Sequence, residues 1–98
     1  MKRVKVLPPA RAEVRAAMRW YEARRPGLGL ELVAVVDESF RRIAENPEAN
    51  PLWRSDRPYR KRLVRRFPYT VFFDFLGDTI TVVAVAHQQR RPGYWLDR

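Results

Sequence analysis

Nine side chains in the second half of this 98-residue chain have the chemistry to handle a phosphodiester: Lys61, Arg62, Arg65, Arg66, His87, Arg90, Arg91, Tyr94 and Trp95. Arginine stays protonated, so Arg62, Arg65, Arg66, Arg90 and Arg91 can hold phosphate or stabilise developing charge but cannot act as bases. Proton transfer would fall to His87, whose ordinary pKa of ~6.5 suits it, to Tyr94, or to Lys61 with a depressed pKa. Trp95 and Tyr94 could stack on an exposed base, the usual grip on single-stranded RNA. Other catalytic signatures are missing: no Walker loop, no G-x-G-x-x-G, no H-E-x-x-H and no nucleophile elbow. With one histidine and no cysteine the sequence does not support a zinc site, and no metal or cofactor is implied.

Each candidate also has a structural explanation. His87 stands at the end of a strand, where a ring nitrogen commonly bonds the backbone. Tyr94 and Trp95 could dock a C-terminal tail onto the core. The Arg60–Arg66 run could be an exposed edge strand, where charge blocks edge-to-edge aggregation. Their joint placement around one hairpin carries more weight than any one residue.

The elements that would position them are legible. Residues 3–6 alternate polar and apolar and read as a short strand, which Pro8 and Pro9 end while opening a helix. Ala10, Val14, Ala17, Met18 and Tyr21 form an apolar stripe of helical period over residues 10–25, stopped by Pro26 and Gly27. Leu32, Val33, Val36, Phe40, Ile43 and Ala44 repeat the pattern to Asn46 and Pro47. Pro26, Gly27, Leu28 and Gly29 thus join two amphipathic helices into a hairpin. Residues 46–58, with three prolines, form a loop anchored by Leu52 and Trp53. Strands follow at 60–67, 69–76 and 79–86, with Gly77 and Asp78 as a two-residue turn. The order β-α-α-β-β-β predicts an α+β fold, with a strand and helical hairpin packed on a small antiparallel sheet.

A net charge of +9 and a pI near 11.0 favour an anionic partner. The charge is uneven. Residues 54–66 carry a net +6, and residues 26–51 a net −3. The length suits one domain, residues 1–98, able to bury roughly 60–65% of its unfolded surface. The absence of cysteine and of any signal-like or membrane-length apolar run leads to an expectation of a cytoplasmic protein without membrane contact.

The chain resembles the RelE/ParE superfamily of toxins from type II toxin–antitoxin modules, and most of all its ParE-type, plasmid-stabilisation branch. The matching features are the N-terminal strand ending in Pro8, Trp20-Tyr21-Glu22, Pro26-Gly27-Leu28-Gly29, Phe40 with Ile43, and Asn46-Pro47. They continue with Arg65-Arg66-Phe67-Pro68-Tyr69 and with His87, Arg90, Pro92, Tyr94 and Trp95. The resemblance implies a growth-inhibiting toxin neutralised in a hetero-oligomer by a cognate acidic antitoxin. ParE-type members poison DNA gyrase. RelE-type members cleave mRNA on the ribosome with sheet arginines and lysines and a C-terminal tyrosine, the position of Tyr94 here. Thr70 and Gln88 stand where RelE-type enzymes carry arginines, which favours the ParE-like mode. A ribosome-dependent endoribonuclease using His87 or Tyr94 is the alternative, and a non-toxic binding module of the same fold a third reading.

Overall fold

In the computed structural model, which describes residues 1–98, the chain runs β1 (Arg3–Val6), α1 (Pro8–Arg24), α2 (Leu28–Glu45), a 3-10 turn (Pro47–Ala49), β2 (Arg60–Leu63), β3 (Tyr69–Leu76) and β4 (Thr79–His87). The four strands form one sheet in the order β1-β4-β3-β2. The meander β2–β3–β4 is antiparallel as expected, but β1 runs parallel to β4, Val4 opposite Ile80 and Val6 opposite Val82. The sheet is therefore mixed. A strand separated from its neighbour by a helical hairpin returns by crossover, and a crossover permits parallel pairing. No helix is long and apolar enough to cross a membrane.

Glycine sets how closely the helices approach. A Cβ on Gly29 would lie 2.5 Å from the Met18 carbonyl oxygen of α1, so only glycine fits at this contact. Gly27 takes the left-handed conformation (φ 88°) that starts α2. The Glu22 carboxylate then caps α2 from the neighbouring helix, accepting from the Gly27 N–H at 2.8 Å and the Gly29 N–H at 2.9 Å. The linker is thus shorter than the sequence suggests, because Leu28 and Gly29 already belong to α2.

Two apolar clusters sandwich the sheet. The larger lies under the helical hairpin and includes Ala17, Leu32, Val36 and Ile43 against Val71, Phe73, Ile80, Val82 and Val85. The smaller, on the other face, holds Val83, Ala84 and Trp95 with Phe72, Trp53 and Tyr59 around them. A bulge lets β4 serve both. The register shifts between Phe72 and Phe73, placing Ala84 opposite the first and Val82 opposite the second. Val82 and Val85 can therefore face the hairpin together.

The second strand is shorter than residues 60–67. Arg66 has φ 78°, a strained conformation for a residue with a Cβ, and the Val64 N–H closes the turn onto the Tyr69 carbonyl at 2.9 Å. Of the expected loop anchors, Trp53 packs against Trp95 with centroids 4.9 Å apart. Leu52 is exposed, and its backbone forms an isolated bridge with Arg60.

Candidate functional site

Side-chain alternation along β2 divides the basic run. Arg60 and Arg62 pair with Phe73 and Val71, whereas Lys61 and Leu63 pair with Phe72 and Thr70 on the opposite face. Arg60 donates to the Asn50 carbonyl at 2.7 Å and Arg62 to the Asn50 Oδ1 at 3.2 Å. Arg65 bonds both Glu38 oxygens at 3.3 Å, and Arg66 bonds Glu31 at 2.7 Å. These contacts hold the Glu31 and Glu38 carboxyls below their usual range, chiefly through the arginine hydrogen bonds. Within the chain, therefore, Arg62 is bonded by Asn50, and Arg65 and Arg66 are paired with acidic residues of α2.

Lys61 goes elsewhere. It lines a hollow of about 190 Å³ on the face away from the hairpin, together with Thr70, Gln88, Arg90, Arg91 and Tyr94. Neither Lys61 nor Arg91 forms a side-chain hydrogen bond or ion pair within the chain. Thr70 and Gln88, where the RelE-type pattern would place arginines, both line this hollow. The hollow therefore has cations for an anion and neutral groups where an arginine-based reaction centre would need charge.

The proton-transfer candidates are constrained. The Tyr94 hydroxyl donates to Glu13 Oε2. Burial, and then that bond, push the Tyr94 phenol well above its ordinary range, so at neutral pH it is protonated with its proton held by Glu13. His87 pairs with Tyr69 and packs edge-to-face on its ring, centroids 5.3 Å apart. Its Nδ1 accepts from the Gln89 N–H at 3.1 Å, which in the neutral ring puts the proton on Nε2. His87 thus sits at the rim, shared between the hollow and a cleft toward α1. Arg90 lies over the Tyr94 ring, 3.9 Å from its centroid.

Trp95 takes the docking place that was one of its two readings. It is 1% exposed, stacked on Phe72 at 4.7 Å and flanked by Trp53 and Tyr59 at 4.9 Å. A ring so enclosed has no face for a base. It docks the tail.

Sequence reasoning missed Glu13. Strand β1 ends at Val6, so β4 beyond Val82 has no neighbour on that side. Glu13 accepts the stranded Val85 N–H at 3.0 Å, and Arg98 donates to the Val83 carbonyl at 3.1 Å. Arg98 also grips both Glu13 oxygens at 2.8 and 3.1 Å. One carboxylate thereby ties helix, strand edge and C-terminus. The only signal was a lone acid between Arg11 and Arg15. No three His, Cys, Asp or Glu side chains converge as a metal site would require.

The model of the family described as ParE toxin of type II toxin-antitoxin system, parDE, matches residues 4–92. Among solved structures, one titled "Chromosomal ParDE TA system from P. aeruginosa" superposes with a TM-score of 0.78 at 18% identity, covering 89% of this chain and 96% of that one. No curated protein matches the sequence.

Proposed function

Because the chain belongs to the ParE toxin family of type II toxin–antitoxin systems, we propose that it inhibits growth by binding DNA gyrase as a protein poison, and that a cognate acidic antitoxin neutralises it. The observation carrying this reading is the hollow itself. It offers unpaired cations, Lys61 and Arg91, while the Tyr94 hydroxyl that an endoribonuclease would use is held by Glu13. A poison that acts by binding needs complementary surface and charge and no positioned base. Residues 1–98 act as one toxin domain in this reading, working in the cytoplasm and stored there as a hetero-oligomer with antitoxin. An acidic segment folding onto a +9 chain gains both on-rate and complementarity. Such a segment would compete with the target for the same cations.

Pulse labelling after induction without antitoxin tests the assignment, paired with a supercoiling assay on purified gyrase. Early collapse of DNA synthesis with translation spared, and inhibited supercoiling, is the expected result. Unaffected supercoiling with early loss of protein synthesis would replace it with ribosome-dependent mRNA cleavage. That reading would rest on His87, whose Nε2 makes no hydrogen bond within the chain. Loss of toxicity in His87→Ala would then follow.

A further inference from the structure

A second concavity lies on the hairpin side of the same turn. It is a cleft of about 390 Å³ between the C-terminal half of α1 and the ends of β3 and β4. Ala16, Ala17 and Val85 floor it. Along one wall Trp20, Tyr21, Tyr69 and His87 form a row in which each ring meets the next edge-to-face, at 4.8, 6.4 and 5.3 Å between centroids. Trp20 is 50% exposed, which is unusual for an indole that has a core within reach. Tyr21, Tyr69 and Arg90 make no side-chain hydrogen bond within the chain, and His87 only accepts one, at Nδ1. The lining acid, Glu13, is neutralised by Arg98 and has its oxygens filled with donors. The Arg24 guanidinium lies over one face of the Trp20 ring, 3.2 Å from its centroid. Aromatic walls, an apolar floor and spare cationic donors describe a site for a planar ring bearing an anionic group.

We propose that this cleft binds a nucleotide, its base against the row of rings and its phosphate on Arg90 and the His87 Nε2–H. A peptide fits the geometry less well. On the free edge of β4 the Val83 carbonyl and the Val85 N–H are already taken by Arg98 and Glu13, which leaves an incoming strand fewer groups to pair with. The cationic track also continues. Arg90 borders both concavities, and Arg91 and Lys61 lie unpaired in the hollow beyond the turn. A chain with one base in the cleft would lay its following phosphates along these three side chains, the arrangement that single strands require. The site does not depend on the gyrase reading, since nucleotide binding is measured on the purified chain with no target present.

The test is a ¹H–¹⁵N NMR titration of the full chain at low ionic strength. The probes are AMP, GMP, CMP and UMP, inorganic phosphate alone, and a single-stranded DNA decamer. The expected result is movement of the Trp20 indole N–H and the His87 and Arg90 signals with the mononucleotides, in a base-dependent order. Trp20→Ala, at a half-exposed position, should weaken binding about tenfold or more with melting temperature little changed. Arg90→Gln should weaken it with less dependence on the base. A decamer that binds more tightly assigns the site to single strands, and equal affinity assigns it to free nucleotides. Equal binding of inorganic phosphate, no movement of Trp20 and His87 with any probe, or an unaffected Trp20→Ala variant would each overturn the proposal.

Discussion

The two faces of the sheet are covered by different means. Under the helical hairpin, fourteen buried residues form one connected cluster, contributed by two long helices, by β3 and β4, and by the turn between β2 and β3. On the other face the buried cluster has three residues, and it depends on Trp95, delivered by an eleven-residue tail after β4. The first cover is continuous and apolar, so it resists piecemeal opening. The second is one indole plus a polar clasp, Glu13 to Tyr94 and Arg98. The cations without partners, Lys61 and Arg91, are also on this side. A small domain can thus place most of its apolar core on one face and leave unpaired cations on a face that is held more lightly.

The sharpest way to break this comparison is to truncate one large side chain from each cover. Phe73→Ala should cost about 4 kcal/mol, since the ring is fully buried in the larger cluster and leaves a cavity there. Urea unfolding should stay cooperative with a lowered midpoint. Trp95→Ala should cost about 3 kcal/mol with a different signature. Hydrogen exchange should rise first in residues 88–98 and at the Val85 amide, while α1 and α2 stay protected. Uniform loss of protection in both variants would show that the two faces form one cooperative unit.

Legibility in the sequence follows the same division. The hairpin face was legible because helical and strand periodicities repeat over many residues. The stripe of Leu32, Val36 and Ile43 and the alternation of Val71 with Phe73 name their own burial. The tail face was not. Trp95 follows Pro92 and Gly93 in a stretch with no period, so an aromatic there reads equally as ligand platform or anchor. The division of the basic run was hidden because charge counts carry no direction. Alternation sends Lys61 one way and Arg60 and Arg62 the other, and the partners Asn50, Glu31 and Glu38 come from distant positions. Glu13 escaped notice because its role depends on β1 stopping short of β4, a tertiary fact.

A smaller perturbation of the tail face targets the clasp. Glu13→Gln leaves Arg98 without its counter-charge and weakens the bonds to Tyr94 and the Val85 N–H, at about 2 kcal/mol. Tyr94→Phe should cost about 1 kcal/mol and leave the Arg98 pair in place. The clasp should also respond to alkali. Folding raises the Tyr94 phenol above its unfolded value, through burial first and the Glu13 bond second. Its contribution is therefore fully present below the ordinary phenol range near ~10 and is lost as pH rises from there toward the folded value. Melting curves from pH 8 upward should fall more steeply for the wild type than for Tyr94→Phe. Parallel slopes would remove Tyr94 as the cause.

The smallest effect on stability should come from the cations themselves, and that makes it the most informative. Lys61→Gln and Arg91→Gln remove charges that bond nothing in the chain, so each should shift unfolding by less than about 0.5 kcal/mol. If the lightly covered face is the interaction face, the same changes should weaken binding of the proposed acidic antitoxin and lower the proposed toxicity. The salt dependence of antitoxin affinity should flatten in step, because fewer cations are neutralised in the complex. Arg65→Gln is the matched control, a basic residue of the same run committed to Glu38 on the hairpin side. Equal losses in all three variants would mean that total charge governs recognition. Losses confined to Lys61 and Arg91 would locate it on the tail face.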